Sequence, residues 1–289
     1  MDSELFYPRR SFGFPPERYT DFDKAKVVVL PVPYDSTTDW RAGAREGPNA
    51  IIDASHFLEQ YDYELKREVY DVGIHTLPQL QPSMEGPQQT VERVQEVAGE
   101  LLDKGKFVVM LGGEHSLTIG TVRAYRQRYE KLSVLQLDAH ADLRDEYEGS
   151  KYGHACVMRR VIEVCPIVQA GIRSMSREED DFIRERGLRP FYAGDKAIDD
   201  DAVVSALSGD VYVTIDLDVF DPSVMPAVGT PEPGGLGWHD VLGLLTKVAE
   251  QRRIVGFDIV ELAPAEGPLA CAFLAARLAY RLIGLAVPQ

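Results

Sequence analysis

A chain of 289 residues with 45% hydrophobic composition and a formal charge of −15 can bury a sizeable core and repels polyanions. Nucleic acid and anionic membrane are therefore excluded as expected partners, and cationic small molecules are favoured. No Ser/Gly/Pro-rich linker divides the sequence, so residues 1–289 read as one domain. The opening Met1–Pro8 has neither the basic nor the apolar region of a signal peptide. Cys156, Cys165 and Cys271 have no paired or metal-like spacing, which makes a reducing cytoplasm the expected setting.

In chain order, apolar runs predict strands at 27–31, 69–74, 107–111, 134–137, 167–172, 211–215 and 254–259. Helical periodicity is predicted at 88–104, 116–129, 177–186 and 238–251. A further helix is predicted at the C-terminus, over 269–287, where Arg277 and Arg281 interrupt the apolar stretch and argue for a docked helix rather than a membrane span. Alternating strands and helices predict an α/β fold. Its sheet is parallel and covered on both faces, with the site in the crevice beyond the carboxyl ends of the strands.

Polar clusters fall at that edge. Asp138, His140 and Asp142 follow the run ending at Leu137; Gly112, Gly113, Glu114 and His115 follow Leu111; Asp216 and Asp218 follow Ile215. On an extended chain residues i and i+2 point the same way, so Asp138, His140 and Asp142 are expected to face one site, as are Asp216 and Asp218. Four carboxylates and two imidazoles exceed the needs of one tetrahedral zinc and suit two ions sharing bridging carboxylates. A donor set without thiolate favours manganese and leaves iron, cobalt and zinc open. Gly112 and Gly113 are expected to permit close backbone approach, Gly234 and Gly235 to serve ordinary turns, and Cys156 to be a buried inert thiol.

These motifs resemble the ureohydrolase family of arginases and agmatinases, and agmatinases most. The likeness runs through Trp40-Arg41-Ala42-Gly43-Ala44-Arg45-Glu46-Gly47-Pro48, Gly112-Gly113-Glu114-His115-Ser116 and Asp138-Ala139-His140-Ala141-Asp142-Leu143-Arg144. It continues through Gly153-His154-Ala155, Gly171-Ile172-Arg173-Ser174, Asp216-Leu217-Asp218 and Asp258-Ile259-Val260-Glu261. The resemblance implies a three-layer α/β/α arrangement, assembly as trimers or hexamers, and two Mn²⁺ ions per chain. His115 and Asp142 would hold one ion, His140 and Asp218 the other, with Asp138 and Asp216 bridging. Glu261 would hold the guanidinium of the substrate and His154 would shuttle protons at a mobile loop.

The chemistry calls for such a set. A guanidinium is a resonance-stabilised cation and a poor electrophile, so water must be activated and the planar group held in place. A carboxylate such as Glu261 accepts two parallel N–H bonds. Asp142 would relay a proton to the leaving amine, releasing urea and a primary amine.

Where arginases use Asn to read the α-carboxylate of arginine, this chain has Arg144; where they use Asp for the α-amino group, it has Ser174. The resemblance therefore implies a decarboxylated substrate, agmatine or its elongated N1-aminopropyl derivative; the acidic loop Asp145-Glu146-Tyr147-Glu148 is one candidate receiver of the cationic tail, with at least two of its three acids read as solvated. Arg144 keeps open an anionic guanidine such as 4-guanidinobutyrate, or a formimidoyl substrate. A non-catalytic, metal-stabilised assembly protein would need neither Glu261 nor His154, and a one-zinc deacylase would not need all six ligands.

Overall fold

The computed structural model describes residues 10–194 and 197–288; the opening Met1–Pro8, read above as no signal peptide, lies outside them. The first half runs β1 (Val27–Val32), α1 (Gly47–Ser55), β2 (Tyr61–Asp62), β3 (Arg67–Glu68), β4 (Ile74–Thr76), α2 (Pro87–Asp103), β5 (Phe107–Gly112), α3 (Thr118–Arg128) and β6 (Leu132–Leu137). The second runs α4 (Val157–Val161), β7 (Ile167–Ile172), α5 (Arg177–Arg186), β8 (Phe191–Tyr192), α6 (Asp200–Ala206), β9 (Asp210–Asp216), α7 (Trp238–Gln251), β10 (Arg253–Val260) and α8 (Ala270–Ala286). Among the described residues no helix is long and apolar enough to cross a membrane.

Eight strands form one sheet in the order β4-β1-β5-β10-β9-β6-β7-β8, and every pairing in it is parallel. A parallel sheet covered on both faces needs strands that are apolar on both sides, which is why Val27–Val32 is buried throughout. Alternate residues feed two cores. Val29, Val109, Leu135, Val213 and Phe257 pack with α1, α7 and α8, while Val28, Met110, Val134 and Tyr212 pack with α2, α3 and α4. The result is the expected three-layer α/β/α arrangement. Phe257 is fully buried, and truncating such a side chain to Ala costs about 3–5 kcal/mol.

Helices α5 and α7 begin and end where the sequence places them, and both ends of α5 and the start of α7 are chemically marked. Ser176 and Glu179 form a reciprocal capping box at the start of α5, and Gly187 closes it in a left-handed conformation. The N–H of Gly237 donates to Asp240 at 2.8 Å at the start of α7.

The predicted strand over 69–74 is corrected. Val69–Val72 is a 3-10 turn that buries Val69 and Val72 at i and i+3, and the strand is the later β4. Gly73 separates them with φ +74°, where a Cβ would lie 2.7 Å from the Ala25 backbone. Helices α1, α4 and α6, the β2–β3 ribbon and the two-residue β8 were not anticipated, being short or weakly periodic.

Candidate active site

Four adjacent central strands, in the order β5-β10-β9-β6, deliver the site. Leu111 pairs with Ile259, Ile259 with Ile215 and Ile215 with Leu137, so the four strands stop at one level. Asp216 ends β9, Asp138 and Glu261 directly follow β6 and β10, His115 comes after Gly113 and Glu114 beyond β5, and His140, Asp142 and Asp218 lie in the next turns. All seven line one pocket except Asp138, which is fully buried at its floor beside His115.

His115 Nδ1 lies 3.1 Å from Asp138 Oδ2, 3.2 Å from Asp142 Oδ2 and 3.4 Å from Asp216 Oδ2. His140 Nδ1 lies 2.8 Å from Asp218 Oδ2 and 3.7 Å from Asp138 Oδ1. Two candidate metal-holding groups result, His115–Asp138–Asp142 and Asp138–His140–Asp218, with Asp138 common to both.

Convergence does not arise from extended alternation, as the sequence reading supposed. Asp142 is turned inward by a left-handed backbone at φ +53°, and its carbonyl accepts the N–H groups of Met158 and Arg159. Asp218 sits on a 3-10 turn whose start is fixed by its own N–H donating to Asp216 Oδ1 at 2.9 Å. The Asp138 carboxylate takes the His140 N–H at 2.6 Å and the Gln136 side-chain amide at 2.7 Å.

Burying so many acids together is costly unless a cation joins them. Burial, then the charge of Asp138, pushes Asp142 up to about 7, and Asp216 is raised well above the carboxylate range by burial and by Asp218. Burial also opposes ionisation of Asp138, yet the His115 and His140 imidazoles beside it hold it below its usual value. His115 is itself fully buried, and its Nδ1 has no hydrogen-bond partner although three carboxylates surround it. An imidazole nitrogen without a partner among carboxylate oxygens is a donor set that fits divalent cations.

Glu261 enters from the end of β10 with φ +65°, and its Oε1 accepts the His115 N–H at 2.6 Å. Burial, then the charge of Glu114, pushes its pKa up to about 8, so a cation beside it would restore the carboxylate. Gly113 makes this crossing possible. A Cβ there would lie 1.9 Å from the Tyr34 carbonyl oxygen, and the Gly113 carbonyl accepts the Glu261 N–H at 2.8 Å. Gly235, expected to be ordinary turn chemistry, also makes a close approach, since its Cβ would lie 2.4 Å from the Asp221 nitrogen.

His154 lines the pocket wall from a 3-10 turn. Its backbone N–H donates to Thr37 Oγ1 at 3.1 Å, and Thr37 Oγ1 in turn donates to the buried Glu114 at 2.6 Å. Neither Glu114 nor Thr37 was given a role from sequence, although Glu114 stands inside a quoted motif. Cys156 is buried, and burial pushes its thiol up to about 11, as expected of an inert cysteine.

At the mouth the loop 145–148 contributes Tyr147, and Glu146 and Glu148 are exposed, as expected of solvated loop acids. Asp145 is engaged by Arg160 at 2.6 Å, and neither Glu146 nor Glu148 lines the pocket; Asp39 and Glu179 do. Asp39 accepts the Tyr147 hydroxyl. Both arginines in the lining are matched: Arg41 pairs with Glu266, and Arg144 lies 4.4 Å over the Tyr147 ring and 3.8 Å from Glu179. Ser174 lines the same pocket.

The arginase family profile matches residues 25–284. The N(1)-aminopropylagmatine ureohydrolase of Synechocystis sp. is 42% identical over 280 residues, covering 93% of this chain and 91% of that protein. The agmatinase of Pyrococcus horikoshii is 36% identical over 290 residues, covering 97% and 99%. The agmatine ureohydrolase structure from Thermoplasma volcanium superposes with a TM-score of 0.88 at 34% identity, covering 98% of this chain and 96% of that one.

Proposed function

Because the chain belongs to the arginase family, we propose that it hydrolyses the guanidinium of agmatine and of N1-aminopropylagmatine to urea and a primary amine, a step in polyamine synthesis. The observation that carries this reading is that Glu261 and both metal-holding groups meet in one pocket whose two arginines are already paired. Such a mouth offers Asp39 to a cationic tail and, among the described residues, no unmatched arginine to an anionic one. The aminopropyl derivative adds a second cationic nitrogen, and relatives carrying that name reach 42% identity.

His115 and Asp142 would hold one divalent cation, His140 and Asp218 the other, with Asp138 and Asp216 between them; imidazole and carboxylate donors favour manganese. When bound, such a pair supplies Lewis acidity that brings the pKa of water toward neutrality. Glu261 orients the planar guanidinium by accepting its N–H groups. Asp142 would take a proton of the attacking water on a carboxylate oxygen and pass it to the departing amine nitrogen. His154, held at the wall by Thr37, exchanges protons between that amine and solvent. Its replacement by Asn is expected to lower kcat by about 10²-fold or less, the scale of one acid/base group. A kinetic pH profile superimposable on the wild type would leave His154 with only a packing role.

Urea release from N1-aminopropylagmatine, agmatine, arginine and 4-guanidinobutyrate, assayed side by side, tests the substrate. Leaving the α-carboxylate of arginine unpaired in this mouth should cost about 10²-fold or more in kcat/KM. Comparable values for arginine and agmatine would contradict the cationic-tail reading, and a preference for guanidinobutyrate that is lost in Arg144→Ala would replace it.

We extend the proposal to a cytoplasmic homo-oligomer, a trimer or hexamer. Support comes from three buried free thiols, Cys156, Cys165 and Cys271, and from an apolar face where Phe57 and Leu269 are 80% and 89% exposed.

A further inference from the structure

Just below the metal-holding groups, the sheet carries a polar row in its buried core. Gln136, Thr214 and Asp258 are register partners across β6, β9 and β10, and each is fully buried. Strands covered on both faces are expected to be apolar here, so three polar side chains at one level call for a reason.

The hydrogen bonds of this row have a fixed direction. Burial raises the pKa of Asp258, but three hydroxyls converge on its carboxylate and favour the ionised form, which only accepts, while each hydroxyl has one proton to give. Asp258 accepts from Thr214 Oγ1 at 2.6 Å, from Tyr212 Oη at 2.7 Å and from Thr118 Oγ1 at 3.0 Å. Thr118 therefore has no proton left for Thr214, which lies 3.3 Å away. Thr214, its own proton committed to Asp258, can only accept from His115 Nε2 at 2.8 Å. Nε2 must then carry the ring proton, and in a neutral imidazole Nδ1 is left as a lone pair. That nitrogen is the buried atom without a hydrogen-bond partner that faces Asp138, Asp142 and Asp216.

We propose that Asp258 is a positioning residue that acts through the Thr214 hydroxyl to hold His115 in the tautomer with a bare Nδ1, and so sets cation affinity at the His115 site. This rests on the metal assignment made above. In Asp258→Asn the side-chain amide can donate to Thr214, which would then turn its own proton toward Nε2 and drive the ring proton onto Nδ1.

The test is titration of the full-length protein with Mn²⁺, following free ion by its electron paramagnetic resonance signal, with no substrate present. Asp258→Asn and the same-shaped Thr214→Val should each weaken the His115 site by about 10–100-fold, the usual effect of removing an outer partner of a ligating histidine. The His140 site should keep its affinity, and Thr214→Ser, which restores the hydroxyl, should restore wild-type binding. Tyr212→Phe removes a different donor from the same carboxylate without touching the route to His115, and should leave both affinities unchanged. Wild-type binding in Thr214→Val, or equal weakening in Tyr212→Phe, would overturn the proposal alone. Absence of cation binding by the wild type would overturn it together with the metal assignment.

Discussion

Glu261→Gln is expected to retain both cations yet lower kcat/KM by about 10²–10³-fold, the scale of one preorganised electrostatic contact withdrawn from a reacting group. One oxygen of Glu261 already accepts the His115 N–H at 2.6 Å. In the Gln variant the amide oxygen would keep that bond, and the NH₂ group would face the guanidinium, donor against donor. The negative charge would be gone as well. Neither metal-holding group includes Glu261, so metal content should not change. Unaltered kcat/KM at full metal occupancy would remove Glu261 from the substrate.

Asp138→Asn should act one step earlier and release both ions. Each Asp138 oxygen already accepts an N–H bond, Oδ1 from the His140 backbone and Oδ2 from Gln136. An amide NH₂ at either position would meet a donor and withdraw a lone pair from a group that both sites share. The loss of affinity should therefore exceed the ~10–100-fold expected for an outer partner, and urea release should fall with it. His115→Asn, by contrast, should weaken one site selectively. Binding of two ions by Asp138→Asn at wild-type affinity, read by metal titration, would contradict the shared role.

Much of this was legible in the amino-acid sequence because the chemistry is concentrated at strand ends. The runs ending at Leu111, Leu137 and Ile215 are strands, and their polar successors line or floor one pocket. Helices α5 and α7 were readable because caps punctuate them. Long-range geometry was not readable. Alternation along an extended chain was the wrong reason for convergence, since Asp142 and Asp218 are aimed by a left-handed residue and a 3-10 turn. Thr37, Glu114, Thr214 and Asp258 act through partners 77 to 117 and 44 to 99 positions away, a separation no local pattern records. The acid at the mouth was not readable for the same reason. Asp145 has the right charge, but Arg160 claims it, whereas Asp39 reaches the pocket from a distant loop.

The number of cations per chain tests the central claim most directly. Protein equilibrated with Mn²⁺ and freed of excess ion should hold two ions per chain by elemental analysis, with urea release from agmatine rising as the second site fills. Saturation at a single ion with full activity would contradict a centre in which Asp138 joins two metal-holding groups.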